Sequence, residues 1–465
     1  MLADLYLNSI PFIVVVVTII GVYYIFTKPI YAFYIIIFTL PLRNFYIFFG
    51  TSFEIWKLLS FAFLVIKFPS LLKKILSILK KHMYIKVLSL LVLYIALSTI
   101  INNLFLINSD FSHIKGGFLK NEGRIISQAV FFILTVNLLI IPFIVIKKRK
   151  EFINCLLALF YSSVFLSFLG FLQFFIVRFS GINPFPIKGS NGISHSGYIA
   201  NKIFRINSVA GEPKHMAIAM VIGITIILLC RIYKIKLFRY SLPLFLLLMF
   251  NLFYTFSTTG YVLLIVSLFT IYIIEGMLNF KIILISCFGL LLLIFTASNI
   301  SGLEKDTFNK QIDRANFEIQ DESIKNYFID NPLHAITGTG LGNIHHYSMK
   351  YIPDSFPLFK DTPYKANSGL IYVISDYGLI GGLILVLLFY KILRKNIKIL
   401  KSYRGGIRSQ LILVANLSFV IVSMFIFRYN ELFFLFFGIM LHLNIILENE
   451  MKHRLQQIEL VKNIY

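Results

Sequence analysis

Apolar runs of about the length a helix needs to cross a bilayer recur from one end of this chain to the other. Ser9–Phe26, Phe152–Val177 and Ile282–Ser298 each approach the ~20 residues of a transmembrane helix. With 58% hydrophobic and 14% charged residues and a mean hydropathy of +0.82, a soluble fold of this chain could not cover its surface with polar atoms. The expected fold class is an all-α integral membrane protein, a single polytopic bundle over residues 1–465. The first apolar stretch has no basic residue before it and no small-residue cleavage site after it, so it reads as an uncleaved span.

The net charge of +23 raises the question of nucleic acid, and its distribution answers it. Lys67–Lys86 holds six lysines, Lys147–Lys150 four basic residues, Arg231–Arg239 four and Lys391–Arg408 seven, none with an acid among them. These are 21 of the 44 basic residues, in short connectors between apolar runs, which is the positive-inside pattern of cytoplasmic loops. No nucleic-acid partner is expected. Cys155, Cys230 and Cys287 lie in or beside apolar runs without ligand spacing and read as packed thiols.

Placing the basic loops in the cytoplasm sets a register of thirteen spans, at 9–26, 30–49, 53–68, 86–107, 125–146, 152–177, 213–232, 240–257, 260–275, 282–299, 367–390, 409–427 and 432–447. Pro41, Arg43, Glu54 and Lys57 interrupt the early apolar pattern, and a re-entrant run there would make the count twelve. Two long segments fall outside, 178–213 and 300–366. The second is locally balanced, with nine acids and seven Lys/Arg. Phe308, Ile312, Ala315, Ile319, Ile324 and Phe328 predict one or two amphipathic surface helices there, ended by Pro332. Gly338-Thr339-Gly340-Leu341-Gly342 reads as a turn with close backbone approach, not as a nucleotide fingerprint, because no βαβ unit surrounds it.

Chemistry concentrates in Arg205-Ile206-Asn207-Ser208-Val209-Ala210-Gly211-Glu212-Pro213-Lys214-His215. Ionisable groups at a membrane boundary are costly to desolvate, so a cluster of them points to a site. An arginine fork suits phosphate oxygens. Pro213 fits the first turn of the next helix, whose amino end favours an anion. Glu212 and His215 are candidate bases or orienting groups. The alternative is that Arg205 pairs with Glu212 or with lipid headgroups as an anchor. His345 and His346 lack metal-ligand spacing and are candidate proton acceptors, with no metal or cofactor expected. Arg314 sits in Asp313-Arg314-Ala315-Asn316, and Arg428 shares a short external turn with Glu431, its candidate ion-pair partner.

These residues resemble a known family. The chain carries R-x-x-S-x-x-G-E-P-x-x-x-A at Arg205–Ala217 and T-F-S-T-T-G at Thr255–Gly260. It then carries D-R-A…N-P-L-H-A-I-T-G-T-G-L-G-N from Asp313 to Asn343 and A-N-S-G-L-I-Y-V-I-S-D-Y-G-L-I-G-G from Ala366 to Gly382. Their order and shared membrane side are similar to the O-antigen polymerase and ligase superfamily over residues 204–447. The resemblance implies a GT-C-like, metal-independent, inverting glycosyltransferase of the bacterial inner membrane, with its site on the periplasmic face and a glycan on undecaprenyl diphosphate as donor. A second lipid-linked glycan would be the acceptor, and a flippase and a chain-length regulator would be partner proteins. Family arginines hold the diphosphate, which matches Arg205 and Arg314, while Asn367 and Arg428 would line the same substrate cavity. The ligases carry a catalytic His where this chain has Ala366 before Asn367, which favours a polymerase. The base stays open among Glu212, His215, His345 and His346, with Glu212 first. The rival readings are a ligase that moves glycan to lipid A core or protein and, in a different class, a polysaccharide flippase. Collection of the polar groups at span ends argues against transport.

Overall fold

In the computed structural model, the described residues are 2–48, 52–81, 83–106, 121–185, 203–235, 240–275, 319–354, 366, 369–402 and 430–462, with short strands at 187–188, 194–195 and 198–199. The expected spans 282–299 and 409–427, Cys287, Arg314, Asn367 and Arg428 lie outside them. The helices are α1 (Leu2–Thr27), α2 (Pro29–Thr39), α3 (Ile55–Lys81), α4 (Met83–Leu106), α5 (Asn121–Val145), α6 (Arg149–Ser180), α7 (Pro213–Ile232), α8 (Ser241–Tyr254), α9 (Thr258–Glu275), α10 (Ile319–Asp330), α11 (Pro332–Thr337), α12 (Ile344–Ser348), α13 (Gly369–Ser402) and α14 (Asn430–Lys462). Five helical stretches are long and apolar enough to cross a membrane: Ile10–Thr27, Ile85–Leu106, Arg149–Ser180, Pro213–Ile232 and Leu370–Ile399. Shorter apolar helices accompany them, as a multi-pass helical membrane protein requires.

α7 is apolar all round and sits at the centre, against α6, α8 and α9. Small residues bring the backbones close. A Cβ on Gly223 would lie 2.9 Å from the Ser163 Cβ, and one on Gly260 would lie 2.6 Å from the Ala217 Cβ. Buried hydroxyls and amides then tie the helices. Ser163 Oγ donates to the Ala219 carbonyl at 2.7 Å, the Thr225 and Ser267 hydroxyls meet at 2.7 Å, and Asn251 Nδ2 donates to Ser167 Oγ at 2.8 Å. Such bonds each contribute roughly 0.6–2 kcal/mol between membrane helices.

Two helices measure the bundle. On α14, Glu431 pairs with Arg43 at one end, while Glu450 pairs with Arg149 and Glu448 with Lys395 (2.5 Å) at the other. The 17 to 19 residues between correspond to a rise of ~26–28 Å, close to the ~30 Å hydrocarbon core of a bilayer. On α13, the helix beyond the break at Gly378 runs 16 residues from Leu379 to Lys395, a rise of ~24 Å. Two basic stretches, around Arg149 and Lys395, therefore converge on one end of the bundle, as the charge pattern demands.

Several expectations are corrected. The span 30–49 is helical only as far as Thr39, about 16 Å of rise. Pro41 and a chain of turns follow, then a short antiparallel hairpin of Tyr46–Phe48 with Ser52–Glu54 in the otherwise helical architecture. Irregular backbone at membrane depth is tolerated where protein buries it, and Leu40, Leu42, Asn44 and Phe45 are buried. The segment 178–213 adds two more short hairpins, Ile187–Lys188 with Ser194–His195 and Tyr198–Ile199 with Ile203–Phe204. The basic stretches Lys67–Lys86 and Lys391–Arg408 are largely helical rather than looped, because α3 runs on to Lys81 and α13 to Ser402. Long lysine stems let a helix leave the apolar layer without breaking. The predicted surface helix does stop before Pro332, at Asp330, and Pro332 then opens α11, since a first-turn position needs no N–H. α14 continues well past 447, to Lys462.

Candidate active site

The four motifs assemble in two pairs. In the first, Arg205 Nε donates to the Thr255 carbonyl at 2.9 Å and Arg205 Nη2 to the Phe256 carbonyl at 3.3 Å. Ile206 N donates to the Tyr254 carbonyl at 3.0 Å. These carbonyls lie at the carboxyl end of α8, where the helix dipole favours a cation. The Gly260–Ala217 contact closes the same pair, so the last residues of both motifs touch. Gln173 on α6 locks the strand beneath. Its Oε1 accepts from Asn207 N at 3.2 Å and Ser208 N at 2.8 Å, and its Nε2 donates to Asn207 Oδ1 at 2.8 Å. Ser208 (φ 50°) and Phe256 (φ 45°) take left-handed backbone, which few non-glycine residues do. Each costs of order 1–3 kcal/mol, and such strain clusters at functional sites.

In the second pair, the turn Gly338–Gly342 seats against a break in α13 at Gly378 (φ 68°, ψ 174°). Thr339 donates twice to the Ser375 carbonyl, from N at 2.7 Å and from Oγ1 at 2.9 Å, and Gly342 N reaches Asp376 Oδ1 at 3.3 Å. A Cβ on Gly378 would lie 2.3 Å from the Ile336 carbonyl oxygen, so the predicted close approach is real and mutual. α4 grips the other side. Tyr94 OH donates to the Thr337 carbonyl at 2.7 Å, and Thr99 Oγ1 accepts from Leu341 N at 3.1 Å.

Both pairs stand at one end of the bundle. Leu379, just past the break beside Asp376, lies ~24 Å of helix from Lys395. Glu431 lies ~26 Å from Glu448, and its partner Arg43 sits beside Asn44, whose N donates to the Val209 carbonyl at 3.1 Å.

Each predicted side chain has a definite place. Glu212 pairs with Lys214 Nζ at 3.0 Å and is half exposed. Pro213 does open α7, but His215 N (3.0 Å) and Met216 N (3.2 Å) both donate to the Glu212 carbonyl, so the helix end presents fewer N–H groups than its sequence promised. His215 lines a small pocket with Arg43 and Leu432, its ring nitrogens buried. His345 and His346 are buried on α12, their rings 5.3 Å apart, on the segment that follows the glycine turn. Glu431 is paired with Arg43. Cys155 and Cys230 are buried free thiols.

Sequence reasoning missed the Arg43–Glu431 ion pair, the buried Asp376 and Asn44. Pro41 and Arg43 breaking an apolar run was the available signal. Near the second pair, the Tyr327 hydroxyl is bonded to His334 Nδ1, and Tyr347 stacks on Tyr327 at 5.6 Å. Burial holds His334 below the usual imidazole range. The Tyr327 phenol is pushed up, first by burial and then by Tyr347 and Tyr351. No known family's sequence model matches this chain, and no curated protein does.

Proposed function

We propose that this protein polymerises undecaprenyl-diphosphate-linked oligosaccharide repeats into O-antigen or capsular polysaccharide at the periplasmic face of the inner membrane. The observation that carries the reading is the meeting of both motif pairs at the end of the bundle opposite the basic residues, about one bilayer core away. That end faces outward by the positive-inside bias, which is where a lipid-linked donor presents its glycan. The full bundle is read as twelve or thirteen spans in a GT-C-like arrangement.

In this reading Arg205, oriented by two carbonyls, supplies fixed positive charge to the donor diphosphate, and preorganised charge is the larger part of such catalysis. Lys214 adds a second cation at the amino end of α7. A hydroxyl of the second lipid-linked repeat attacks the anomeric carbon. The bond from that carbon to the diphosphate oxygen breaks, configuration inverts, and undecaprenyl diphosphate leaves with the electron pair. Glu212 takes the hydroxyl proton. It is the accessible carboxylate of the first pair, whereas the ring nitrogens of His215 and His345 are buried. Arg314, Asn367 and Arg428 keep their proposed substrate-binding roles.

The polysaccharide ladder of a deletion strain tests the class. Lipid A core carrying a single repeat is the expected product. Bare core with polymer still on its carrier lipid would indicate a ligase, and repeats trapped in the cytoplasm a flippase.

A further inference from the structure

A cavity of about 530 Å3 opens on the side of the bundle between α1, α2 and α6. Its walls are apolar. α1 contributes Ile13 and Tyr24, α2 Tyr31 and Tyr34, and α6 Ala158 and Tyr161. Tyr31 and Tyr161 are about half exposed (46% and 53%), so the groove is open on its bilayer side. The short α2 creates it, because the chain folds inward after Thr39 and Leu42, Phe45 and Ile55 close the groove above.

The groove has a direction. From Ile13 to Tyr24 it follows α1 for ~16 Å, about half the ~30 Å hydrocarbon core. Its tyrosine end is the basic end of the bundle, since the Tyr34 phenol is hydrogen-bonded to Asn154, just over a turn from Arg149. There the rings of Tyr23, Tyr24, Tyr31 and Tyr34 follow one another at 5.6, 5.5 and 6.0 Å. Exposed Lys28 stands over the Tyr31 ring at 5.8 Å, in the turn between α1 and α2. Tyrosine and lysine together are the residues of a membrane interface, and a lysine at the cytoplasmic leaflet attracts anionic headgroups.

We propose that this groove holds one acyl chain of an anionic phospholipid from the cytoplasmic leaflet, with the phosphate beside Lys28. The length matches one leaflet, the volume lies in the 300–1,000 Å3 range of ligand pockets, and the charge at the mouth complements the headgroup. The site does not depend on the transferase reading.

Native mass spectrometry of the purified full-length protein, after detergent delipidation and addition of phosphatidylglycerol or phosphatidylcholine, tests it. The wild type is expected to retain one phosphatidylglycerol. Lys28→Ala should reduce the preference over phosphatidylcholine about fivefold, the weight of one lysine near an anionic surface. Ala158→Phe and, on the opposite wall, Val17→Phe should each fill the groove and abolish retention, and either variant suffices if the other fails to insert. Leu387→Phe, on the exposed face of α13, should change nothing. Retention equal to wild type in a folded groove-filling variant would overturn the proposal. So would equal retention of phosphatidylcholine by the wild type, or a prenyl lipid carried through purification in the groove in place of the phospholipid.

Discussion

Arg205 binds two segments that lie fifty residues apart, and this sets its sensitivity to substitution. A planar fork reaches the Thr255 and Phe256 carbonyls together, whereas an ammonium is a point charge. Arg205→Ala is expected to abolish polymer with the protein still inserted, and Arg205→Lys to restore little of it. A normal ladder from Arg205→Ala would refute the role. Arg43 and Glu431 behave differently. Glu431 is buried and Arg43 partly so, so Glu431→Leu removes one partner of a largely buried ion pair and should cost ~3 kcal/mol. The double variant Arg43→Met with Glu431→Met should recover most of that loss in detergent thermal unfolding. Failure of the second substitution to rescue the first would show that the pair is not the cause. Gly378→Ala combines a positive φ with a backbone oxygen 2.3 Å from the new carbon. It should undo the seat of the glycine turn, at a cost of several kcal/mol.

Among the elements, α6 and α7 were legible because length and hydropathy alone decide them. Both fall within a few residues of their expected bounds at 152–177 and 213–232. α2 was not legible. Residues 30–49 are apolar throughout most of their length, and tertiary burial of Leu40, Leu42, Asn44 and Phe45 lets the chain abandon the helix after Thr39. The ion pairs of the site were hidden for a related reason. Arg43 and Glu431 are 388 residues apart, and nothing local to either names the other. The Gly338–Gly342 turn was legible as a close approach, but not its partner at Gly378, since a helix break needs the docked loop to be explained. The α10–α12 cluster carries its own pH response. Burial lowers the His334 pKa from the usual 6.5 in the folded state. The unfolded chain therefore binds more protons as pH falls below that value, and the contribution of neutral His334, full above pH 6.5, is lost on acidification. The protection factor of the amides of residues 327–347, their intrinsic exchange rate over the observed rate at the same pH, should fall between pH 7 and pH 5, and His334→Gln should flatten that dependence. A protection factor independent of pH in the wild type would contradict this.

For the whole molecule, the account rests on a bundle with two chemically distinct ends one bilayer core apart. Single cysteines at exposed Asp330 and exposed Arg394 report on them directly. An impermeant maleimide should label position 330 in cells whose outer membrane alone is opened, and position 394 only after lysis of the inner membrane. The reverse pattern would put the motif end in the cytoplasm, away from any periplasmic substrate. Reconstitution measures the proposed transfer reaction itself. Purified protein in vesicles would be given undecaprenyl-diphosphate-linked single repeats, with no nucleotide sugar, and the products resolved by chain length. The account predicts a ladder of two and more repeats on the carrier lipid, with undecaprenyl diphosphate released in step with each addition and the ladder absent for Arg205→Ala. Single repeats that persist unchanged with correctly inserted wild-type protein would contradict it.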